Sequence, residues 1–513
     1  MRRDIGKSVL LGPLRLAVPS LGYLALYPLL LRRYGVEVVG LWGLISALST
    51  VIAVADIGFS QLLRREVNPR TDHSTLRERR ADHSCAQGLY LLLLAAGFVV
   101  LLLSSPAISD AVKGVYPAPA LVGALLVLMA ASALQLILQL DDAVLSGLQD
   151  AAFTHGVRAL TPILMVAGAL GGALTGVPIE GLSAGTFVAN AVGLALLRRR
   201  LHRHHPQWAA AETALSRGEW VRQTARTARR GWHFYSIAIG SLVREPLARV
   251  IVAFMLGLPG VAVWDVAMRV TRVARDLITA GLTVLYPSLA SLSQARDRAE
   301  MVRLMQLTLI LVAIVGGSSL GLLIGTAGLA IPLLFPTLGQ GAPTTTQVLA
   351  IWNLITLLNV PFWYALQATG FERHAAWSVW AHTASLGLLV ILAAPFSFTV
   401  VSVALYWTVS AVVTQVLIFG QVHRQLGLFW PVLRAASVRG SLVGSVVLVA
   451  GAFLARPAAR LLEHWGAPTT AATVAYLALL FGLFWAFAWR HSWPPVSGFI
   501  ADVRNPAPPH EQP

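Results

Sequence analysis

Apolar residues recur along this chain in blocks of about twenty, the length an α-helix needs to cross a hydrocarbon core about 30 Å thick. Blocks bounded by charged or Gly/Pro-rich segments predict about fourteen helices. They fall near residues 8–31, 38–61, 86–105, 119–141, 157–175, 180–197, 233–256, 261–286, 303–326, 346–369, 374–394, 398–420, 435–456 and 469–490. The first block follows Arg2, Arg3 and Lys7, as the core of a secretory leader would, but it shows no small-residue cleavage site and reads as a retained span. One block breaks the apolar pattern. Between Val261 and Tyr286 the chain carries Asp265, Arg269, Arg272, Arg275 and Asp276. The four-three-four spacing of Asp265, Arg269, Arg272 and Asp276 stacks those side chains on one helix face. An arginine at mid-bilayer costs about 2.5–3.5 kcal/mol even on the lenient insertion scale, so this face is expected to meet protein or water rather than lipid.

Composition supports the membrane reading. Of 513 residues, 56% are hydrophobic and only 12% charged, about half the charged fraction of a soluble domain. Mean hydropathy is +0.69. The expected class is an all-α polytopic membrane protein. A net charge of +16 would suit nucleic acid, but the arginines gather between spans, in 64–80 and 198–230. Basic loops beside membrane helices follow from the positive-inside rule, so no nucleic-acid partner is needed. The loops after even-numbered spans hold most of them, which places both termini in the cytoplasm; Arg32, Arg33, Arg456 and Arg460 are exceptions. Cys85 is the sole cysteine, which excludes a disulfide framework and a thiolate metal cluster. No phosphate loop, Gly-x-Ser-x-Gly or intramembrane His-x-x-x-His occurs, which argues against an ATP-driven pump and against an enzyme. His202, His204 and His205 read as part of a solvated basic loop.

A faint internal duplication organises the helices. Gly35-Val36-Glu37-Val38-Val39-Gly40-Leu41-Trp42 resembles Gly257-Leu258-Pro259-Gly260-Val261-Ala262-Val263-Trp264. Aligning them equates the first span with the seventh in the same orientation. Parallel repeats of this kind imply two six-helix lobes around a central cavity. The expected boundaries are an N-terminal lobe over 1–200, a basic cytoplasmic connector over 201–232, and a second lobe over 233–425. Two extra helices follow over 426–491, then a proline-rich disordered tail over 492–513.

Other spans carry polar groups too. Span seven has Arg244, Glu245, Pro246 and Arg249, with Glu245 and Arg249 spaced to pair on one face; span one has Arg15, Pro19, Tyr23 and Tyr27. Span two has Asp56, span four Gln135, Gln139 and Asp142, and span ten Asn353, Asn359, Pro361, Tyr364 and Gln367. These charges have two readings, internal ion pairs that fix helix packing or groups that face a substrate. In spans seven and eight, five arginines stand against Glu245, Asp265 and Asp276, an excess of two positive charges. The candidate cavity cations are Arg269, Arg272, Arg244, Arg249 and Arg15, and the three acids are candidates for ion coupling or internal pairing. Arginine's planar fork suits phosphate, so a phosphate or pyrophosphate headgroup is the expected partner. Tyr23, Tyr27, Trp352 and Trp363 are either sugar-stacking groups or membrane-interface aromatics.

With those residues in view, the chain resembles the polysaccharide and O-antigen flippases of the multidrug/oligosaccharidyl-lipid/polysaccharide (MOP) exporter superfamily. The likeness lies in Tyr34–Trp42, similar to that family's glycine-rich turn, and in Asp56-Ile57-Gly58-Phe59-Ser60, similar to the end of its second helix. It extends to Val144–Gln149 and to Val261–Val270, where relatives have an aromatic and an alanine before a basic residue. The resemblance implies two lobes in a V with two further helices, and alternating access that flips an isoprenoid-pyrophosphate-linked oligosaccharide to the outer leaflet. Arg269 matches the family pattern as a cavity cation, whereas Arg244, Arg249 and Arg272 do so by position only; the acids of span eight depart from it. The implied setting is the cytoplasmic membrane of a bacterium or archaeon. No cofactor is expected, and coupling is to protons, sodium or membrane potential. The expected partners are the lipid-linked oligosaccharide, membrane lipids and a polysaccharide polymerase or glycosyltransferases, and the protein is expected to be a monomer. Rival readings are a peptidoglycan-precursor (lipid II) flippase, a multidrug/toxin antiporter, and a membrane glycosyltransferase or polymerase, which would need a larger catalytic segment outside the bilayer.

Overall fold

A computed structural model describes residues 22, 24–46, 59–67, 73–111, 114–148, 150–209, 216–282, 285–393, 398–455, 457 and 469–491. Every regular element among them is helical, and eleven helices are long and apolar enough to cross a membrane. The expected first two spans fall partly outside the described residues, as does the tail from 492. The remaining predicted spans overlap these runs, the predicted 233–256 and 261–286 both meeting the single run Glu245–Thr279, and several runs extend beyond the ends that hydropathy alone marked, as Arg298–Leu334 does for the predicted 303–326. Part of the basic segment 201–232 is helical, its later residues opening an element that begins at Arg217 and reaches Leu282 with a break at Gly257.

Contacts divide the chain into two compact units, Met1–Arg269 and Val270–Pro513. The division falls inside the Arg217–Leu282 helix.

In the first unit, the helices Ala151–Thr175 and Pro178–His204 form a hairpin around Gly176, which sits in the left-handed region at φ 96°. Gly172 and Gly181 are equidistant from that turn, and so are Gly168 and Gly185. At each pair the backbones lie so close that an added Cβ would strike the opposite chain. In lipid, where burying apolar area gives helices little mutual attraction, such glycine contacts let backbones meet. The helix Ala118–Gly147 packs against Pro178–His204, tied by an Asn190 Nδ2 hydrogen bond to the Ala131 carbonyl at 2.9 Å. Phe59, Leu63, Tyr90, Leu136, Leu140, Val144 and Trp208 form the apolar core at one end of this bundle.

Two breaks in the first unit matter for the site. Residues 24–46 are helical on both sides of Gly35, which has φ 83°. The Arg217–Leu282 element is broken at Gly257, with φ 70° and ψ −173°. These are the two glycines that the sequence repeat aligns. Each precedes by seven positions a tryptophan, Trp42 and Trp264, that is almost wholly buried.

The second unit gathers around the run Arg298–Leu334, which contains a π-helical turn at Val312–Gly316. Ser445 satisfies the Ala313 carbonyl there at 2.5 Å. The two C-terminal helices Ala436–Phe453 and Thr469–His491 pack on each other and on Gly317–Leu334, where Gly321 and Gly325 admit Leu448 and Leu477. They contribute Leu448 and Phe484 to this unit's apolar core. Away from the cores, residues such as Leu103, Ile391 and Leu479 are more than 60% exposed, as side chains facing lipid would be.

Candidate functional site

The break at Gly257 determines what Asp265 meets. Arg249 lies eight residues before that glycine and Asp265 eight after it, so a helical hairpin folded there sets the two side by side. Arg249 Nε and Nη2 both approach Asp265 Oδ1, at 2.9 and 2.8 Å. Arg269, one turn further along the helix, donates its Nε to Oδ2 at 2.8 Å. The Tyr27 hydroxyl also donates to Oδ2, and the Arg269 guanidinium lies over the Tyr27 ring, 5.2 Å from its centroid.

The first hairpin shapes the space around this carboxylate. A Cβ on Gly43 would lie 3.2 Å from the Asp265 Cβ, and one on Gly40 would collide with the Leu258 carbonyl. Under the repeat, Tyr27 corresponds to Arg249 and Gly43 to Asp265. The four positions that are equivalent between the two hairpins therefore converge on one carboxylate.

Electrostatics accounts for the arrangement. Asp265 is completely buried, and a buried carboxylate is tolerable only when its charge is matched and its lone pairs are occupied. Here both oxygens accept from guanidinium groups. Two arginines share the one aspartate. The Arg249 side chain is only 6% exposed, whereas that of Arg269 is 17% exposed, so Arg269 is the more accessible of the two.

The other predicted residues are distributed differently. In the second unit, Arg275 donates from Nε and Nη2 to Asp276 Oδ1 at 3.1 and 3.0 Å. Its guanidinium lies 5.6 Å from the centroid of Trp352, which in turn meets Trp407 edge-on. Arg272 and Glu245 are half-buried on their helices. Arg249, spaced in sequence to pair with Glu245, is engaged with Asp265. Arg15, Tyr23 and Asp56 lie outside the described residues, and for Arg244 only the helical backbone is described. Tyr27 and Trp352, read from sequence as sugar-stacking or interface aromatics, are both fully buried; Tyr27 acts through its hydroxyl.

A second charged constellation was only partly visible in the sequence. Asp141 and Asp142 end an otherwise apolar helix and are fully buried. Asp142 accepts from Arg64 at 3.0 Å and from Arg158 Nε at 2.7 Å. Asp141 accepts from His83 at 2.8 Å and from Arg198 at 3.2 Å. Nearby, Asp82 accepts from Arg79 at 2.7 Å and from Gln223 at 2.8 Å. The available signal was a pair of adjacent acids in a span, which must recruit cations from basic loops distant in sequence.

No family model matches the chain, and no curated protein matches it in sequence. Solved structures do match in fold. The lipid II flippase MurJ, in an inward closed conformation, has a TM-score of 0.65 at 12% identity, covering 95% of this chain and 98% of its own. An inward-facing multidrug-resistance MATE family transporter of the MOP superfamily has a TM-score of 0.61 at 14% identity, covering 83% of this chain and 99% of its own. A MOP superfamily transporter from Pyrococcus furiosus, described as having a binding pocket of reverse polarity, has a TM-score of 0.56 at 13% identity over 85% of this chain and 96% of its own. The chain therefore has the fold of MOP superfamily transporters.

Proposed function

We propose that this protein is a MOP-type transporter that flips an isoprenoid (pyro)phosphate-linked oligosaccharide from the cytoplasmic to the outer leaflet by alternating access, for export of a cell-surface glycan. The observation that carries this reading is the pair of guanidiniums, Arg249 and Arg269, gathered on the one carboxylate of Asp265. A pyrophosphate presents several acceptor oxygens to the arginine fork, and it competes with Asp265 for Arg269, the more exposed of its two partners. Release of Arg269 leaves Asp265 held by Arg249 and Tyr27, and weakens the joint between the two hairpins. Phosphate binding and helix rearrangement are then linked through one carboxylate, since a ligand shifts a conformational equilibrium only by its differential affinity for the two states. Arg272, one turn beyond Arg269, supplies a second contact, and Glu245 and Asp276 are sites for a coupling proton or sodium ion.

The lipid II flippase reading is the nearest second. It is favoured by the coverage of 95% of this chain by MurJ, against 83% by the MATE transporter. Both flippase readings place a lipid-linked pyrophosphate on the same arginines. A multidrug antiporter carrying cations fits a pair of arginines less well. The protein acts in the cytoplasmic membrane with both termini inside, as a monomer beside the glycosyltransferases or polymerase that make and use its substrate.

The deciding experiment is lipid-linked oligosaccharide translocation in proteoliposomes containing wild-type protein, Arg269→Ala or Arg272→Ala. Loss of translocation by protein that still folds and unfolds cooperatively is expected for both variants. Normal translocation by both would overturn the proposal, and acceptance of lipid II alone would select the second reading.

A further inference from the structure

A cavity of about 240 Å³ opens at the end of the first unit where the helix His73–Ala111 begins and Ala118–Gly147 and Pro178–His204 finish. Arg80, His83, Asp141, Arg198, His202 and Trp208 line it. These residues lie well away in sequence from the Asp265 cluster, and no step proposed above uses them.

The lining has the chemistry of an anion receptor. Two guanidiniums face one carboxylate, which leaves a positive charge with the histidines counted as neutral. Arg198 spends only its Nε on Asp141, so both amino groups of its fork remain for a ligand. Arg80 lies 5.7 Å from the Trp208 ring centroid and takes part in no ion pair among the described residues.

Two buried polar atoms add an independent indication. Trp208 is wholly buried, yet its indole N–H has no hydrogen-bond partner among the described residues. His83 is 1% exposed. Its Nε2 must donate to Asp141, because a carboxylate has no proton to give, and its Nδ1 has no partner. Unsatisfied buried polar groups cost about 1–3 kcal/mol each, and these two belong to residues that line the cavity, so a turn of either ring toward a polar occupant would relieve that cost.

We propose that this cavity binds an organic phosphate, a phosphodiester or monoester whose alcohol carries a hydroxyl. The phosphate oxygens accept from the Arg198 and Arg80 guanidiniums, and a small turn of the Trp208 and His83 rings toward the cavity brings the indole N–H to the phosphate and Nδ1 to the hydroxyl. The cavity lies at the ends of membrane helices, beside the basic segment 198–230. Basic pockets between helices at a membrane surface suit anionic lipid headgroups. A glycerol-bearing anionic phospholipid and a soluble glycerol phosphate share this chemistry.

The test uses the full chain in nanodiscs and in detergent. The probes are phosphatidylglycerol against phosphatidylcholine, followed by native mass spectrometry, and sn-glycerol 3-phosphate against inorganic phosphate, followed by thermal shift. Wild type is expected to retain phosphatidylglycerol in preference to phosphatidylcholine. Arg80→Gln and Trp208→Phe are each expected to weaken retention on the order of tenfold, the size of one lost charge-assisted or buried hydrogen bond. Trp208→Phe shrinks a ring in the apolar core, so melting temperatures are measured beside binding, and Arg80→Gln, outside that core, separates lost binding from a folding defect. Saturable stabilisation by glycerol 3-phosphate as well would assign the site to a soluble organophosphate, and retention of the lipid alone would assign it to the membrane. Equal retention of the two lipids without saturable glycerol 3-phosphate binding, or wild-type binding by both variants, would overturn the proposal.

Discussion

Tyr27 and Asp265, 238 residues apart in the chain, share a hydrogen bond in the buried interior of the first unit. The tyrosine lies eight residues before one glycine break and the aspartate eight residues after the other. Their meeting couples two hairpins that the sequence marks as copies of each other.

The first prediction concerns the charge at this joint. Asp265→Asn leaves Arg249 and Arg269 without their counter-ion in a site that excludes water. Removing one partner of a buried ion pair typically costs about 3–5 kcal/mol. Thermal unfolding in detergent should show a larger loss for Asp265→Asn than for Arg269→Gln, because the latter leaves Asp265 paired with Arg249. Restoration of stability by adding Arg249→Met to Asp265→Asn would identify stranded charge as the cause.

Tyr27→Phe isolates the hydroxyl. The ring remains under the Arg269 guanidinium, and Asp265 keeps both arginines, so the expected cost is about 1 kcal/mol. Tyr27→Ala also empties a buried ring position and should cost about 3–5 kcal/mol. A denaturation series comparing the two separates hydrogen bonding from packing.

The glycine breaks predict opposite effects for one substitution type. At Gly257, φ 70° with ψ −173° is a conformation that essentially only glycine adopts, so Gly257→Ala should destabilise by about 1–3 kcal/mol. Gly171 lies inside the helix Ala151–Thr175, and nothing lies within 4 Å of where its Cβ would be. Gly171→Ala should therefore stabilise by about 0.5–1 kcal/mol. Melting temperatures of the two single variants check both signs.

His205 gives the end of the long basic helix a pH dependence. Burial holds its imidazole below the ordinary value of 6.5, against the attraction of Asp150 and with the help of Arg200 and His204. Below 6.5 the unfolded chain therefore takes up a proton before the folded one. Stability contributed by neutral His205 is complete above that value and is lost as pH falls through the lower, folded value. Amide exchange over 201–209 should quicken, beyond the intrinsic pH effect, as pH falls below about 6.5. In His205→Gln that additional dependence should disappear.

Much of this protein was legible in its sequence. Hydrocarbon thickness fixes the length of a spanning helix, so apolar blocks alone located most of the described spans. The repeat at Gly35 and Gly257 was legible as well, because a chain reversal between helices demands a residue that tolerates positive φ. The stripe from Asp265 to Asp276 announced itself by its energetic cost in lipid. The partners of those charges were decided only by tertiary structure. Helical spacing offered Glu245 to Arg249, but the fold at Gly257 brought Asp265 instead. Local periodicity could not connect Tyr27 to Asp265, nor Arg198 and His83 to Asp141. A buried charge is neutralised by whichever opposite charge the folded backbone brings within about 3 Å of it, and that distance depends on how helices are folded back on one another, which no single helix encodes.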